Sequence, residues 1–401
     1  MLNQAESALR QLKARTMKSS LNTSTYHVRC FTHPSQNFCH LSYVYAGLCA
    51  LESTGLALVT YERPSESVNR ALCPVAVWVE ATDTRTNQER RIVFEMSDHS
   101  DWLATDLLSL CDVYFKRSYH APHLECLSAE LKARILPFGL IYPCKQANSS
   151  RRVLSSLLSG WTSDIVKSPT EFFRRILRWD LRSFLMSPRV SAFEHPPDFA
   201  AERAVHFQSR VWEPELLGPD SEEEVNQFRA KLIRLLKHEF GSSFDGGIVP
   251  TKYTRRNFAN DLCRGGKRRC AYVEHSKKML IGVYTRGLHH SIGFKLAEYL
   301  ASSKCIIMEP LRHQLPTPLV PGRNYLDFST PEECVQQCIK ILNDREFANR
   351  MRTENWDYYQ REVRPDRRIA SCLVQAFRQS FSPHAQNHRG SSVAVQPSIV
   401  S

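Results

Sequence analysis

Short β-branched or aromatic runs alternate with longer segments of helical spacing along this chain, and that alternation limits its fold more than any other feature. Tyr26 to Phe31, Leu56 to Tyr61, Val75 to Val79, Ile92 to Phe94, Val113 to Lys116 and Arg134 to Leu136 read as strands. Helices are expected between them, at 39–53, 100–111 and 121–131. Strand and helix in repeated succession predict a layered α/β unit built on a mainly parallel sheet.

A second alternating block starts with the apolar run Ala204 to Phe207. In the helix that follows, Val225, Phe228, Leu232, Leu235 and Leu236 recur at helical spacing behind an S-x-x-E capping box of Ser221 and Glu224. Lys278 to Tyr284 reads as a strand, 292–302 as a helix and Cys305 to Met308 as the next strand. Pro331 opens another helix behind Thr330, with Glu332 and Glu333 favourably placed in its first turn. At 401 residues the chain exceeds what one core usually serves. The expected organisation is an α/β unit over 25–146, a helical linker over 147–202, a second α/β unit over 203–345 and closing helices over 346–380, with tails at 1–24 and 381–401.

A formal charge of +12 draws anions to the surface, and sign alone does not choose among nucleic acid, an acidic membrane face and nucleotide phosphates. Basic clusters at Arg174 to Arg182 and Arg264 to Arg269 are spread out, and no nucleic-acid motif with stacking aromatics accompanies them, so no specific nucleic-acid partner is expected. The thirteen cysteines are odd in number and contain no CxxC pair, which reads as reduced thiols. With no signal-peptide core and no run of eighteen apolar residues, a cytoplasmic location is the expectation. Residues 169–186 interleave Phe172, Phe173, Ile176, Leu177, Leu181 and Phe184 with arginines. Because the stretch is apolar around much of its girth, packing against a domain is preferred to the other reading, a weak membrane-surface contact.

The stretch "TRGLHHSIGFKLAEYLASSKCIIMEP", residues 285–310, carries the chemistry. A strand, a tight turn containing Gly287 and a helix starting near Ser291 place free N–H groups and the positive helix end at the carboxyl edge of a sheet, where phosphate is favoured. Arg286, His289, His290 and Lys295 surround that position, with Gly293 beside them, and a diphosphate suits it. The plainer reading of the glycines is turn and packing use, and of the cations, solvated side chains. Glu298, farther along the helix, is placed to accept hydrogen bonds from a sugar's adjacent hydroxyls, or is simply a surface glutamate.

"GFKLAEYLASSKCIIMEPL" followed by "LVPGRNYLDFSTPEECVQQCIKILND" resembles the C-terminal nucleotide-sugar domain of GT-B glycosyltransferases, which have two facing Rossmann-like domains. The resemblance is greatest to the family-1-like branch that includes the spore maturation glycosyltransferase-like proteins, and it spans roughly residues 203 to 362. "LCDVYFKRSYH" and "RILPFGLIYPC" resemble, more weakly, the end of the N-terminal domain of the same group. The resemblance implies that Glu298 binds the donor ribose and that Arg210 faces the donor diphosphate, although the lysine that usually follows the arginine is missing. His290 stands eight residues before Glu298, where many retaining relatives carry a glutamate, so retention or inversion stays open, as does a role for Arg286 and Lys295 in phosphate neutralisation.

Glycosyl transfer needs a stabilised leaving diphosphate and a base beside the acceptor hydroxyl. Base candidates at strand-to-helix edges are Asp98 and His99, with His33 and His40 after the first strand, and His290 is the candidate in the second unit. Ser97, Asp98 or Ser100 could instead cap the next helix. The expectation is a metal-independent glycosyltransferase with a nucleotide-sugar donor and an unidentified acceptor. Its rivals are a nucleotide-sugar epimerase or hydrolase, a non-catalytic nucleotide-sugar binder and a basic nucleic-acid-binding protein.

Overall fold

The computed structural model describes residues 24–178, 181–218, 223–264 and 268–379. Its first sheet contains β1 (Tyr26–Phe31), β2 (Ala57–Glu62), β3 (Ala76–Asp83), β4 (Gln88–Glu95), β5 (Val113–Lys116) and β6 (Ile135–Pro137), in the order β2-β1-β3-β4-β5-β6. Five strands run one way, while β3 is antiparallel to both of its neighbours. The parallel reading therefore needs one correction. Only four residues separate Asp83 from Gln88, too few for a crossover, so β3 and β4 form a hairpin. The Asp83 carboxylate closes the turn by accepting the Arg85 N–H at 2.9 Å, and Asn87 takes the left-handed φ of 53°.

The second sheet contains β7 (Glu202–Ser209), β8 (Phe244–Ile248), β9 (Met279–Tyr284), β10 (Cys305–Met308) and β11 (Tyr325–Asp327). All its pairings are parallel, and the order β11-β10-β9-β7-β8 reverses direction at β7. In such a doubly wound sheet the crevice at the carboxyl ends of the two strands flanking the reversal, here β7 and β9, is where ligands bind.

Helix α1 (Phe38–Ser53) covers the first sheet, α2 (Phe228–Phe240), α3 (Phe294–Ala301) and α4 (Pro331–Asn343) cover the second, and α5 (Pro365–Arg378) returns to lie on α1. That return is close. A Cβ on Gly47 would lie 2.4 Å from Ile369 Cγ1 and 2.7 Å from the Pro365 carbonyl oxygen, so α1 needs glycine there. Tyr43 Oη donates to the Val363 carbonyl at 2.5 Å, and one apolar core runs from α1 through α3 to α5. The architecture is thus two α/β units with facing sheet edges, closed by C-terminal helices.

Several boundaries differ from expectation. The helix placed at 100–111 is only Thr105–Leu110, preceded by Ala104, so Ser97, Asp98 and Ser100 do not cap it. The one placed at 121–131 divides into Ala121–Leu124 and Ala129–Arg134, the latter capped by Ser128. Ser221, and with it the capping box expected between Ser221 and Glu224, lies outside the described residues. In the linker, helices span Pro169–Arg178 and Leu181–Met186, and residues 179 and 180 between them lie outside the described residues. Phe172, Ile176 and Phe184 are buried in the α1 core, in keeping with packing. All thirteen cysteines are free thiols. Among the described residues no helix is long and apolar enough to cross a membrane.

Candidate active site

The crevice between β7 and β9 is spanned by one side chain. Arg229, in the first turn of α2 and 3% exposed, donates from Nε to Thr285 Oγ1 at 3.1 Å, from Nη1 to the Arg210 carbonyl at 2.6 Å and from Nη2 to the Arg286 carbonyl. Its guanidinium carbon stacks 4.6 Å from the Trp212 ring centroid. Arg229 thereby ties the ends of the two strands together and places a fixed positive charge where the topology puts a ligand. Arg210, the expected diphosphate contact, is exposed directly after β7 and holds Arg229 through its backbone.

After β9 the chain forms a loop before α3. Gly287 N–H donates to the Ser291 carbonyl at 2.8 Å, and Ser291 N–H returns to the Leu288 carbonyl at 2.9 Å. Gly287 is extended, and its need for glycine comes from contact: a Cβ would lie 2.4 Å from Ser291 Oγ. His289 and His290 both take left-handed φ, 55° and 56°, which side chains adopt at a cost of about 1–2 kcal/mol each. The helix expected to open near Ser291 starts at Phe294, with Gly293 as its N-cap. Gly293 N–H is taken by Tyr284 Oη at 2.8 Å. That cap has no side chain to offer, and the first turn contains no acid, so the positive helix end is not neutralised locally.

Lys295 stands in that first turn. Its ammonium lies 5.8 Å from the Tyr272 ring centroid and has neither a hydrogen bond nor an ion pair to any described residue. Burial, opposed by Glu298 and reinforced by Arg269, Arg229 and Arg210, brings its pKa down to about 7. Glu298 itself is 6% exposed and faces Arg269 with both oxygens: Arg269 Nη2 pairs with Oε1, and Nη1 reaches Oε2 at 3.4 Å. The carboxylate expected to receive ribose hydroxyls is therefore clamped by an arginine, from the helix Arg269–Ser276, that sequence reasoning placed only in a general basic cluster.

Across the seam, the loops following β4 and β5 face α3. Lys116 and Glu95, both fully buried, pair at 2.6 Å, and Lys116 Nζ also donates to the His99 carbonyl at 2.9 Å and the Trp102 carbonyl at 2.7 Å. This pins the 96–103 loop and fixes His99, whose ring lies 4.4 Å from that of His289 at 33°. Burial and the neighbouring His289 lower the pKa of His99. Asp98 pairs with Arg117 Nη1 at 2.6 Å. Arg117, 4% exposed, also donates from Nη2 to the Ile292 carbonyl at 2.7 Å and stacks 4.9 Å from the Phe294 ring centroid. His40 packs edge-on against Phe294 at 5.3 Å. His33, by contrast, accepts the Ser35 N–H through Nδ1 at 3.0 Å and packs on Trp161, away from the seam.

The sequence-derived set thus converges on two facing edges: Arg210, Arg286, Gly287, His290, Ser291, Gly293, Lys295 and Glu298 in the second unit, Asp98 and His99 in the first. Arg229, Arg269 and Arg117 were not foreseen.

No family model matches this chain, and no curated protein matches it. Among solved structures, an alpha-glucosyltransferase in complex with UDP-glucose and DNA containing an abasic site aligns over 88% of this chain and 100% of its own, at 9% identity and a TM-score of 0.40. A glycosyltransferase from Rickettsia africae aligns over 87% and 84%, at 12% identity and 0.39. The C-terminal domain of a glycosyl transferase group 1 family protein from Francisella tularensis covers 43% of this chain and 95% of its own, at 9% identity and 0.31. These are distant likenesses, and nothing about activity follows from them.

Proposed function

We propose that this protein transfers a sugar from a nucleotide-sugar donor, bound at the β7/β9 crevice and the start of α3, to an acceptor hydroxyl presented from the first unit. The observation that carries the reading is the charge around Lys295: burial and the nearby Arg269, Arg229 and Arg210 all disfavour its ammonium, Glu298 favours it, and the ammonium has no hydrogen bond or ion pair to a described residue. That excess of positive charge beside the start of α3 is what a diphosphate would offset. Charge that develops on a departing diphosphate is stabilised most by fixed donors in a partly buried site. His99, held in place by the Lys116 bond to its carbonyl and kept toward its neutral form, is the group in this reading that accepts the acceptor hydroxyl's proton.

Calorimetric titration of nucleoside diphosphates and nucleotide sugars into wild type, Lys295→Met and Arg210→Ala tests the donor half. One nucleotide should bind wild type and bind both variants more weakly, with their folds retained. A folded wild-type protein that binds no nucleotide defeats the reading. Product analysis with and without acceptor separates transfer from hydrolysis and epimerisation.

A further inference from the structure

The carboxylates already described around the seam, Glu95, Asp98 and Glu298, each face a side-chain cation within 4 Å. Glu309 differs. It directly follows β10, where Met308 is paired with Tyr284 of β9, and its carboxylate reaches back under the site loop to accept the Arg286 backbone N–H through Oε2 at 2.8 Å. No ion pair to a described residue accompanies that bond, and the second oxygen has no partner among the described residues. The side chain is half-buried, and burial raises its pKa, with the Arg286 N–H, Arg229 and Arg286 opposing.

Position adds to this. Arg210 directly follows β7 and Glu309 directly follows β10, the strands on the two sides of β9. Beyond Glu309 the chain crosses to the first unit, where Gln314 N–H donates to the Tyr119 carbonyl at 2.9 Å and Gln314 Oε1 accepts the Ala121 N–H at 3.2 Å. Glu309 therefore sits toward a closed end of the seam. A carboxylate there repels phosphate, while its open oxygen accepts hydrogen bonds from hydroxyls. We propose that Glu309 binds hydroxyl groups of the transferred sugar, with the diphosphate held on the other side of the 285–293 loop. This rests on the nucleotide-sugar reading given above and names the residue that recognises the sugar.

The test compares UDP, GDP, ADP and dTDP with their glucose conjugates by calorimetry on wild type, Glu309→Gln and Glu309→Ala. Glutamine keeps an acceptor for the Arg286 N–H, so the loop should hold. The diphosphate that wild type prefers should bind the glutamine variant within about twofold, while its conjugate should weaken by about tenfold, as loss of a charge-assisted bond to hydroxyl predicts. Equal weakening of diphosphate and conjugate in both variants would make Glu309 a loop anchor, and no weakening of either would remove it from the site. Both results overturn the inference while leaving the donor reading standing. Wild type that binds none of these ligands overturns the donor reading and the inference with it.

Discussion

Arg117, at the end of β5, donates through Nη2 to the Ile292 carbonyl at 2.7 Å, so a buried guanidinium from the first unit terminates on the backbone that opens α3 in the second. Its other terminal nitrogen holds Asp98 at 2.6 Å, and the face of its plane covers Phe294. One side chain therefore sets the distance between the expected acceptor-side acid and the donor-side helix. Arg117→Met should cost about 3 kcal/mol of stability, since it leaves a buried carbonyl and Asp98 without their donor. Arg117→Lys should recover little, because one ammonium cannot reach both sides of the seam in a planar fork. Thermal and urea denaturation of the two variants measures this, and near-wild-type stability in Arg117→Met would refute it.

The clamp on Glu298 makes a second prediction. Arg269→Met strands a nearly buried carboxylate, and Glu298→Gln strands the arginine, so each should destabilise, by about 2 and 1 kcal/mol respectively. The double variant should lose less than the sum, with a coupling energy of about 1 kcal/mol or more. Additive losses in a double-mutant cycle would mean that the pair contributes nothing as a pair.

Lys295 supplies the pH dependence of ligand binding. Its pKa in the fold is about 7, below its ordinary 10.5, so its charge declines as pH rises through neutrality. An anion binds the charged form more tightly, and diphosphate affinity should therefore fall between pH 6 and 8, with proton uptake on binding at the upper end. Lys295→Met should bind more weakly at pH 6 and show a flatter profile. Calorimetry in buffers of differing ionisation enthalpy reads both quantities. A wild-type affinity that rises with pH would exclude Lys295 as the anion's partner.

How much of this was legible in the sequence depends on whether the cause was local. β1, β5 and β10 lie residue for residue where β-branched and aromatic runs bounded by turns put them: β10 is buried along its length and reads as a continuous apolar run, while β1 alternates buried and more exposed residues from Tyr26 to Cys30. β8, "FDGGI", escaped. Its Gly246 and Gly247 meet backbone so closely that a Cβ would fall 2.0 Å from the Phe207 oxygen and 2.5 Å from the Cys263 nitrogen, so packing there requires the absence of the side chains that mark a strand. In the site, Gly287, Lys295 and Glu298 lie close together in sequence, in the loop before α3 and in α3 itself, and were visible together. Arg229 and Arg269 reach the same place from helices distant in sequence, Arg229 lying 66 residues before Lys295, on which its charge acts, and Arg269 lying 29 residues before Glu298, with which it pairs. Arg229 moreover lies on a helix whose buried stripe, with Arg229, Leu232, Ile233 and Leu236, is turned by one residue from the predicted one, since Phe228 and Leu235 are only partly buried. Glu309 had one local signal, an acid directly ending a buried strand.

His313 gives the last prediction. It is 3% exposed, and neither ring nitrogen has a hydrogen-bond partner among the described residues, although His120 packs 6.1 Å away. Burial, followed by the charges of His120, Lys116, His290 and Arg117, lowers its pKa to about 4 from 6.5. As pH falls below 6.5 the unfolded chain takes up this proton first, so folding loses stability down to about pH 4, at a slope approaching 1.4 kcal/mol per pH unit for one site. His33 and His206, also lowered to about 4, add slopes of the same sign. His313→Leu should remove one share of that acid sensitivity. At pH 7 it should also gain about 1 kcal/mol, because two buried polar atoms without partners are replaced by hydrocarbon. Urea midpoints at pH 5 and pH 7 measure both effects. A variant less stable than wild type at pH 7, with an unchanged difference between the two pH values, would mean that the imidazole is satisfied in solution and that its proton is not linked to folding.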